Sequence, residues 1–282
     1  MRLRENALVE VNLTRRRETD NKYPAKTVVK ALRILEHLGT VEHGDSITEI
    51  SQKLRIGKST VYRLLATLSD HDFVWLDPYS GHYILGAKLL SFTEYLSQQS
   101  TLIRYGSVTL DDLSKQSNET CNMGVLDGYQ VLYLMKKDGV HPLRMSGQVG
   151  RKLPAHCTAL GKVLLSGLSE EELASTFKHV QNLETFTPNT ISNLDTLKRQ
   201  LVRVRDTGLA LDNEELYASV MCLAAPVRDF SGRIIAAISI SFPKFRMDPD
   251  KLDDFKSLLI SSAEEFSRQL GYKPHVTAEV KS

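Results

Sequence analysis

The stretch from Ser46 to Leu68, "SITEISQKLRIGKSTVYRLLATL", constrains the fold more than any other part of the chain. It contains Gly57-Lys58-Ser59, which is also how a phosphate-binding loop ends. Such a loop needs a glycine five residues before its G-K pair and a buried strand leading into it; here that position is Gln52 and the residues upstream read as helix. Ser46 and Glu49 have the spacing of a capping box, and Ile47, Ile50 and Leu54 follow on one helical face. After a break at Arg55-Ile56-Gly57, Ser59 is placed to cap a second helix whose Val61, Leu64, Leu65 and Leu68 fall at i, i+3, i+4 and i+7. Two short helices joined by a tight turn are a helix-turn-helix, whose second helix enters the DNA major groove. Its outward residues are Lys58, Ser59, Thr60, Tyr62, Arg63 and Thr67, cations and hydroxyls suited to phosphates and base edges.

The flanks agree. "YPAKTVVKALRILEHLG" places Val28, Leu32, Leu35 and Leu38 along a third helix that ends at Gly39. "FVWLDPYSGHYIL" reads as two strands around a cluster of turn formers, a wing whose tip carries Tyr79, Ser80 and His82. Lysine and arginine outnumber aspartate and glutamate by only two, 36 against 34, so contact with nucleic acid must come from local clustering. Between Glu49 and Asp70 there is no acidic residue, whereas Lys53, Arg55, Lys58 and Arg63 are all basic. Residues 86–99 predict a further helix with Leu89, Leu90, Phe92 and Leu96 apolar, a face suited to a dimer mate. Arg15, Arg16 and Arg17 lie in a polar N-terminal stretch read as a mobile tail, either disordered or in the minor groove.

A length of 282 residues favours two domains. No run of apolar residues is long enough for a membrane span and the start lacks the pattern of a secretory signal. Cys121, Cys157 and Cys222 are widely separated, which fits a reducing cytoplasm and neither a disulfide framework nor a zinc finger. After Thr101 the pattern becomes α+β. Antiparallel strands are expected in "TCNMGVLDG", "QVLYLMKKDG", "SVMCLAAPVRD" and "RIIAAISISF", and helices from near Thr158, from Ser169 with Glu172, from Leu194 to Thr207, and from Asp248-Pro249. Alternation in "AAISISF" sets Ile238, Ile240 and Phe242 opposite Ala237, Ser239 and Ser241. Likewise Cys222 and Ala224 oppose Met221 and Leu223. Two faces of small residues leave room for a small ligand, and the Ala159 and Leu160 amides, in the first turn of a helix, favour a carboxylate.

Across most of its length the chain resembles the IclR family of bacterial transcription regulators. The residues that carry this are "GKSTVYRLLATL", "LPAHCTALGKVLL", "LALDNEE", "VMCLAAPV" and "IAAISISFP". The resemblance implies a winged helix-turn-helix, mainly α with a β-hairpin wing, joined to an α+β GAF-like domain with an antiparallel sheet. The expected boundaries are a tail at 1–22, the DNA-binding domain at 23–86, a linker helix at 87–101, an effector-binding and oligomerisation domain at 102–275, and a tail at 276–282. The family's effector positions match Ala159 and Leu160 by backbone, and Asp212, Cys222, Ser239 and Ser241 by side chain. Many members have a smaller pair where Ala159 and Leu160 stand. "DNEE" and "SISFP" look most like members that sense sugar-acid breakdown products. The implied partners are double-stranded operator DNA, a small carboxylate effector and further copies of the chain as a homodimer or a dimer of dimers; no cofactor is implied. The rival reading is an enzyme domain with Cys222 as nucleophile and His156 as base, or a metal held by His156, Cys157 and Cys222. Against it, His156 and Cys157 are adjacent and would point apart on an extended segment, and no H-x-x-x-H pattern supplies further ligands.

Overall fold

The computed structural model describes residues 25–92, 100–141, 149–180 and 182–273. They fall into two compact units that divide between Gln99 and Ser100. The expected tails at 1–22 and 276–282, with Arg15, Arg16 and Arg17, lie outside the described residues, as does Leu96.

The first unit contains α1 (Lys26–Leu38), α2 (Ile47–Leu54), α3 (Lys58–Asp70) and the antiparallel hairpin β1 (Val74–Leu76) and β2 (Tyr83–Leu85). Ile34, Leu38, Ile50, Ile56, Val61, Leu64, Leu65 and Val74 form its core. The face that α1 buries differs from the expected one. Val28 and Leu32 are 56% and 53% exposed, while Ile34 is fully buried. Two overlapping stripes run along this helix, and the one that packs is Ala31, Ile34, Leu35 and Leu38, at i, i+3, i+4 and i+7. Its first member is a small alanine, which hides the stripe from an inspection for large apolar residues. The helix expected after Gly86 is helical at 88–92, where Phe92 stacks on Phe73 with ring centroids 5.8 Å apart.

The second unit runs α4 (Thr101–Ser117), β3 (Thr120–Asp127), β4 (Gln130–Lys137), β5 (Lys152–Pro154), α5 (Ala159–Ser166), α6 (Glu170–Thr176), α7 (Leu194–Thr207), β6 (Ala210–Asn213), β7 (Val220–Arg228), β8 (Ile234–Pro243) and α8 (Pro249–Gln269). The strands form one antiparallel sheet in the order β5-β4-β3-β8-β7-β6. All four expected strands and the four expected helix starts are present. Sequence reasoning missed α4, β5 and β6. Both missed strands are only three and four residues long, too short to show a period, and they owe their form to their neighbours in the sheet.

Helices cover both faces of this sheet. Met221, Leu223, Ile238, Ile240 and Phe242 pack against Leu110 and Leu113 of α4 and Phe255, Leu259 and Phe266 of α8. The opposite face is small, with Ala224 and Ala237 against α5 and α7. Burial on both sides explains why β8 reads as a nearly continuous apolar run. Gly161 brings α5 against the turn before it: a Cβ at this position would lie 2.2 Å from the Ala155 carbonyl oxygen. This close approach sets the first turn of α5 over the small-residue face.

Candidate functional site

The first candidate surface is built by the turn between α2 and α3. The capping box forms as the spacing predicts, with Ser46 N donating to Glu49 Oε2 at 2.8 Å and Glu49 N to Ser46 Oγ at 3.3 Å. Arg55 takes the left-handed conformation, φ 54°. The backbone of the next residue is held on both sides by Ser51: Ile56 N donates to the Ser51 carbonyl at 3.1 Å, and Ser51 Oγ donates to the Ile56 carbonyl at 2.7 Å. Ser51 is therefore the clasp of the turn rather than only a small residue that lets helices approach.

Gly57, not Ser59, is the N-cap of α3. The extended backbone at Gly57 lets its carbonyl accept from Val61 N at 3.0 Å, so the helix begins two residues earlier than a hydroxyl cap would dictate. Ser59 is left exposed in the first turn. Lys58, Tyr62 and Arg63 are also exposed, and Thr60 is half-buried. Neither Lys58 nor Arg63 has an ion-pair partner among the described residues. Thr67 is exposed, but its hydroxyl donates to the Arg63 carbonyl at 3.0 Å. Lys53 is engaged too. Its ammonium lies 2.7 Å from Asp45 Oδ2, which His37 Nε2 approaches to 2.5 Å. Burial alone would raise the Asp45 pKa, and these two partners outweigh it and hold it below the usual carboxylate range. The acid-free run of sequence is thus not acid-free in space. At the wing, Asp77 accepts from Tyr79 N and Ser80 N and binds the Ser80 hydroxyl, which leaves Tyr79 as the bare tip at 98% exposure.

The second candidate site is a cavity of about 40 Å³ between the small-residue face of the sheet and the start of α5. Ala159, Leu160, Asp212, Cys222, Ser239 and Ser241, predicted from four separate stretches of sequence, all line it. Register explains the convergence. Asp212 of β6 pairs with Cys222 of β7, which pairs with Ser241 of β8. Thr158 caps α5 through its hydroxyl, which accepts from Gly161 N at 3.1 Å, and the amides of Ala159 and Leu160 have no acceptor among the described residues. Sequence reasoning missed Asn122, Tyr133 and Tyr217, which also line the cavity. A signal for Asn122 existed: an amide in the middle of the apolar run "TCNMGVL", on the same parity as Gly124.

Buried polar groups concentrate around this cavity. Asp212 Oδ1 accepts from Glu215 N at 2.8 Å, so the aspartate caps the turn and lines the cavity at once. Burial pushes its carboxyl up to about 7; the Glu215 charge adds to this, while the Glu215 backbone hydrogen bond and the Lys162 ammonium oppose it. Lys162, 1% exposed, places Nζ 2.5 Å from Glu215 Oε1 and also donates to the Leu211 carbonyl and Gln200. This pair was also missed, although a lysine in the apolar helix "ALGKVLL" is its signature.

The enzyme alternative fails on geometry. His156 and Cys157 sit on a 3₁₀ turn over Ala155–Cys157, not on an extended segment, because the chain reverses between Pro154 and the cap at Thr158. His156 Nε2 pairs with the Glu184 carbonyl at 2.9 Å and not with a thiol, and burial lowers its pKa. Burial pushes the Cys157 thiol up to about 12 and the Cys222 thiol up as well, the reverse of what a nucleophile requires. Among the described residues no three His, Cys, Asp or Glu side chains are grouped to hold a metal, and no helix is long and apolar enough to cross a membrane.

Two family models match. The one for the C-terminal part of the bacterial transcriptional regulator IclR covers residues 93–268, and the IclR helix-turn-helix domain covers residues 27–78. The chain is 37% identical to the HTH-type transcriptional regulator KdgR of Dickeya chrysanthemi over 87% of its own length and 80% of the relative's. It is 35% identical to the HTH-type transcriptional regulator XynR of Escherichia coli, over 88% of this chain and 98% of that one. The crystal structure of the Thermotoga maritima IclR superposes with a TM-score of 0.75 at 32% identity, covering 88% of this chain and 99% of that one.

Proposed function

The chain belongs to the IclR family of bacterial transcriptional regulators, with a helix-turn-helix DNA-binding domain and a C-terminal effector-binding domain, and on that premise we propose a specific mode of action. The protein is a cytoplasmic repressor that binds a pseudo-palindromic operator as a homodimer or a dimer of dimers. Lys58, Ser59, Thr60, Tyr62 and Arg63 on the exposed face of α3 meet the operator in the major groove, with Thr67 as a peripheral contact because its hydroxyl proton is already used. Lys58 and Arg63 carry the strongest terms, since no acidic side chain compensates them.

The effector is a small carboxylate, and its class is a sugar acid or a related breakdown product. Its carboxylate docks on the free amides of Ala159 and Leu160, where the helix dipole adds to two unpaired donors. Asp212, Cys222, Ser239 and Ser241 meet the rest of the molecule. The observation that carries this reading is the gathering of all six residues around one cavity. At about 40 Å³ that cavity has room for only a few waters, so a larger acid must push part of its lining aside. Effector binding then acts by linkage: it changes operator affinity only as far as it favours one arrangement of the subunits over another.

A thermal-shift screen of the full chain against short carboxylic, keto and sugar acids tests the sensor half. A dose-dependent rise for one class is expected, because a ligand that binds only the folded state raises its stability. The same acid must also change the mobility shift of operator DNA, and a stabilising acid that leaves DNA binding unchanged would refute the regulatory reading. Replacing Ser239 and Ser241 together by alanine is expected to abolish the response while the protein stays folded.

A further inference from the structure

Two residues of the turn between α2 and α3 are the reverse of what the fold alone would select. Arg55 holds the left-handed conformation, φ 54° and ψ 45°, that favours glycine. Its N–H donates to the Gln52 carbonyl at 3.3 Å, which a glycine would do equally well. Gly57 has φ −56° and ψ 139°, a conformation open to any residue, and a Cβ there would meet no atom within 4 Å. Backbone geometry therefore calls for glycine at 55, where arginine stands, and neither geometry nor packing within the chain calls for it at 57.

Arg55 also differs from the other strained positions. Five non-glycine residues among the described ones have positive φ. Asp72 and Asn118 are of the types that tolerate it. Glu214 and Ser219 are tied to one another, Ser219 N donating to Glu214 Oε2 at 2.9 Å, and to Lys244, whose ammonium pairs with Glu214 and whose N–H donates to the Ser219 carbonyl. Arg55 has neither reason. Its side chain is exposed and makes no ion pair or hydrogen bond among the described residues. The two acids that precede it are engaged elsewhere: Asp45 is taken by Lys53 and His37, and Glu49 is turned back onto Ser46. The C-terminal end of α2 does not require it as a cation either, since Lys53 already stands in the last turn.

An external surface accounts for both residues. Arg55 and Gly57 lie just before Lys58, Ser59 and Thr60, the first turn of α3. A helix whose N-terminal residues enter the major groove carries the turn before it to the rim of the groove, where the sugar-phosphate strand runs. A strand in that place needs a point without a side chain to pass over and a cation beside it to meet a phosphate. We infer that Arg55 is a phosphate contact of the DNA complex and that Gly57 is the bare point over which the strand passes. A guanidinium suits the task, because its planar fork offers parallel N–H donors to two phosphate oxygens. The left-handed arginine is then strain retained for binding. This rests on the reading of α3 as the DNA-facing helix, and it adds a contact that fixes position on the duplex and carries no base preference.

The test is salt-dependent binding of the full chain to two duplexes, an operator selected by the protein from a random DNA pool and an unrelated duplex of the same length. Arg55→Gly is expected to weaken both by a similar factor and to flatten the slope of log K against log salt by about one unit for each copy of the chain bound. Its thermal midpoint is expected to stay level or rise, because glycine relieves the left-handed strain; a purely structural residue would not combine these two results. Arg55→Lys keeps the charge and is expected to hold the slope. Gly57→Asn is expected to weaken binding to both duplexes without lowering the midpoint, since asparagine is a preferred N-cap and the space at 57 is open. An unchanged slope in Arg55→Gly beside a weakened Arg63→Ala would overturn this inference alone, as would full binding by Gly57→Asn. A loss confined to the operator would make Arg55 a base contact, and a lowered midpoint in Arg55→Gly would make it a residue that serves the fold; either overturns the inference. If the unmodified protein binds neither duplex, or if Lys58→Ala and Arg63→Ala leave operator binding intact, the reading of α3 fails and this inference with it.

Discussion

The two units of this protein keep their polar chemistry on opposite sides of their surfaces. In the DNA-binding unit the informative groups face water: Lys58, Tyr62 and Arg63 stand out from α3 over an apolar cluster, and among the described residues of the unit the one buried charged side chain, Asp45, is paired with His37 and Lys53. In the effector-binding unit they face inward: Asn122, His156, Lys162, Asp212, Glu215, Ser239 and Ser241 are all 5% exposed or less. The difference follows from the two kinds of partner. A polyanion is met by solvated charges that release counterions on contact. A small ligand is recognised by desolvated groups, whose unmade hydrogen bonds are what allow them to discriminate. The first arrangement adds little strain to the fold, whereas the second leaves two buried side-chain oxygens, Asn122 Oδ1 and Glu215 Oε2, without a hydrogen bond among the described residues.

Mutations sharpen this contrast, beginning inside the effector-binding unit. Lys162→Met leaves Glu215 buried without its cation and beside Asp212; a loss of about 3–5 kcal/mol is expected, the usual cost of stranding one partner of a buried pair. Adding Glu215→Gln is expected to recover most of it. Chemical denaturation of the single and double variants measures both, and an unchanged midpoint for Lys162→Met would mean that the pair is solvated.

Asp212 gives the next effect, and its sign depends on pH. Its folded pKa is raised from 3.8 to about 7, so between those values the folded state holds a proton that the unfolded state has released. The Asp212 contribution is fully present below about pH 4 and is lost as pH rises toward 7. Asp212→Asn keeps an oxygen for the Glu215 amide and removes the titration. The variant is therefore expected to match the parent near pH 4 and to exceed it by up to a few kcal/mol at pH 8. His156, buried with a lowered pKa, contributes the opposite slope below its ordinary value, so the difference between variant and parent is the quantity to follow. A difference that does not change with pH would show that folding leaves the Asp212 pKa where it is in the unfolded chain.

Smaller effects are expected in the DNA-binding unit. Arg63→Ala is expected to cost about 1–3 kcal/mol of operator binding, read by mobility shift, with effector binding unchanged. Unaltered operator affinity would exclude Arg63 from the interface. Ser46→Ala removes the acceptor for Glu49 N at the start of α2 and is expected to lower stability by about 1 kcal/mol, measured by thermal unfolding.

Much of the fold was legible from local pattern. The capping boxes at Ser46 and Ser169 form as their spacing implies, and α7 spans the expected residues from Leu194 to the left-handed Gly208. The wing and the four long strands likewise follow from turn residues and alternation. The errors fell where locality ends. A hydroxyl is the stronger capper in isolation, which favours Ser59 as the cap of α3; Gly57 holds the position because the turn from Arg55, clasped by Ser51, delivers its carbonyl to Val61. On α1, Ala31 disguised the stripe that packs.

By itself the sequence determined the helix-turn-helix, the α+β character of the second half and the family, because a helix or a strand writes its period within a few residues. It also marked the serines of β8 as out of place in a core. Only tertiary structure decided which charges remain free, since Lys53 is neutralised by an aspartate outside its own run, and which polar groups meet. Asn122 reaches Ser241 across 119 positions and Lys162 reaches Glu215 across 53. Desolvation and hydrogen-bond satisfaction depend on what packs against a residue from distant parts of the chain, and no local period carries that information.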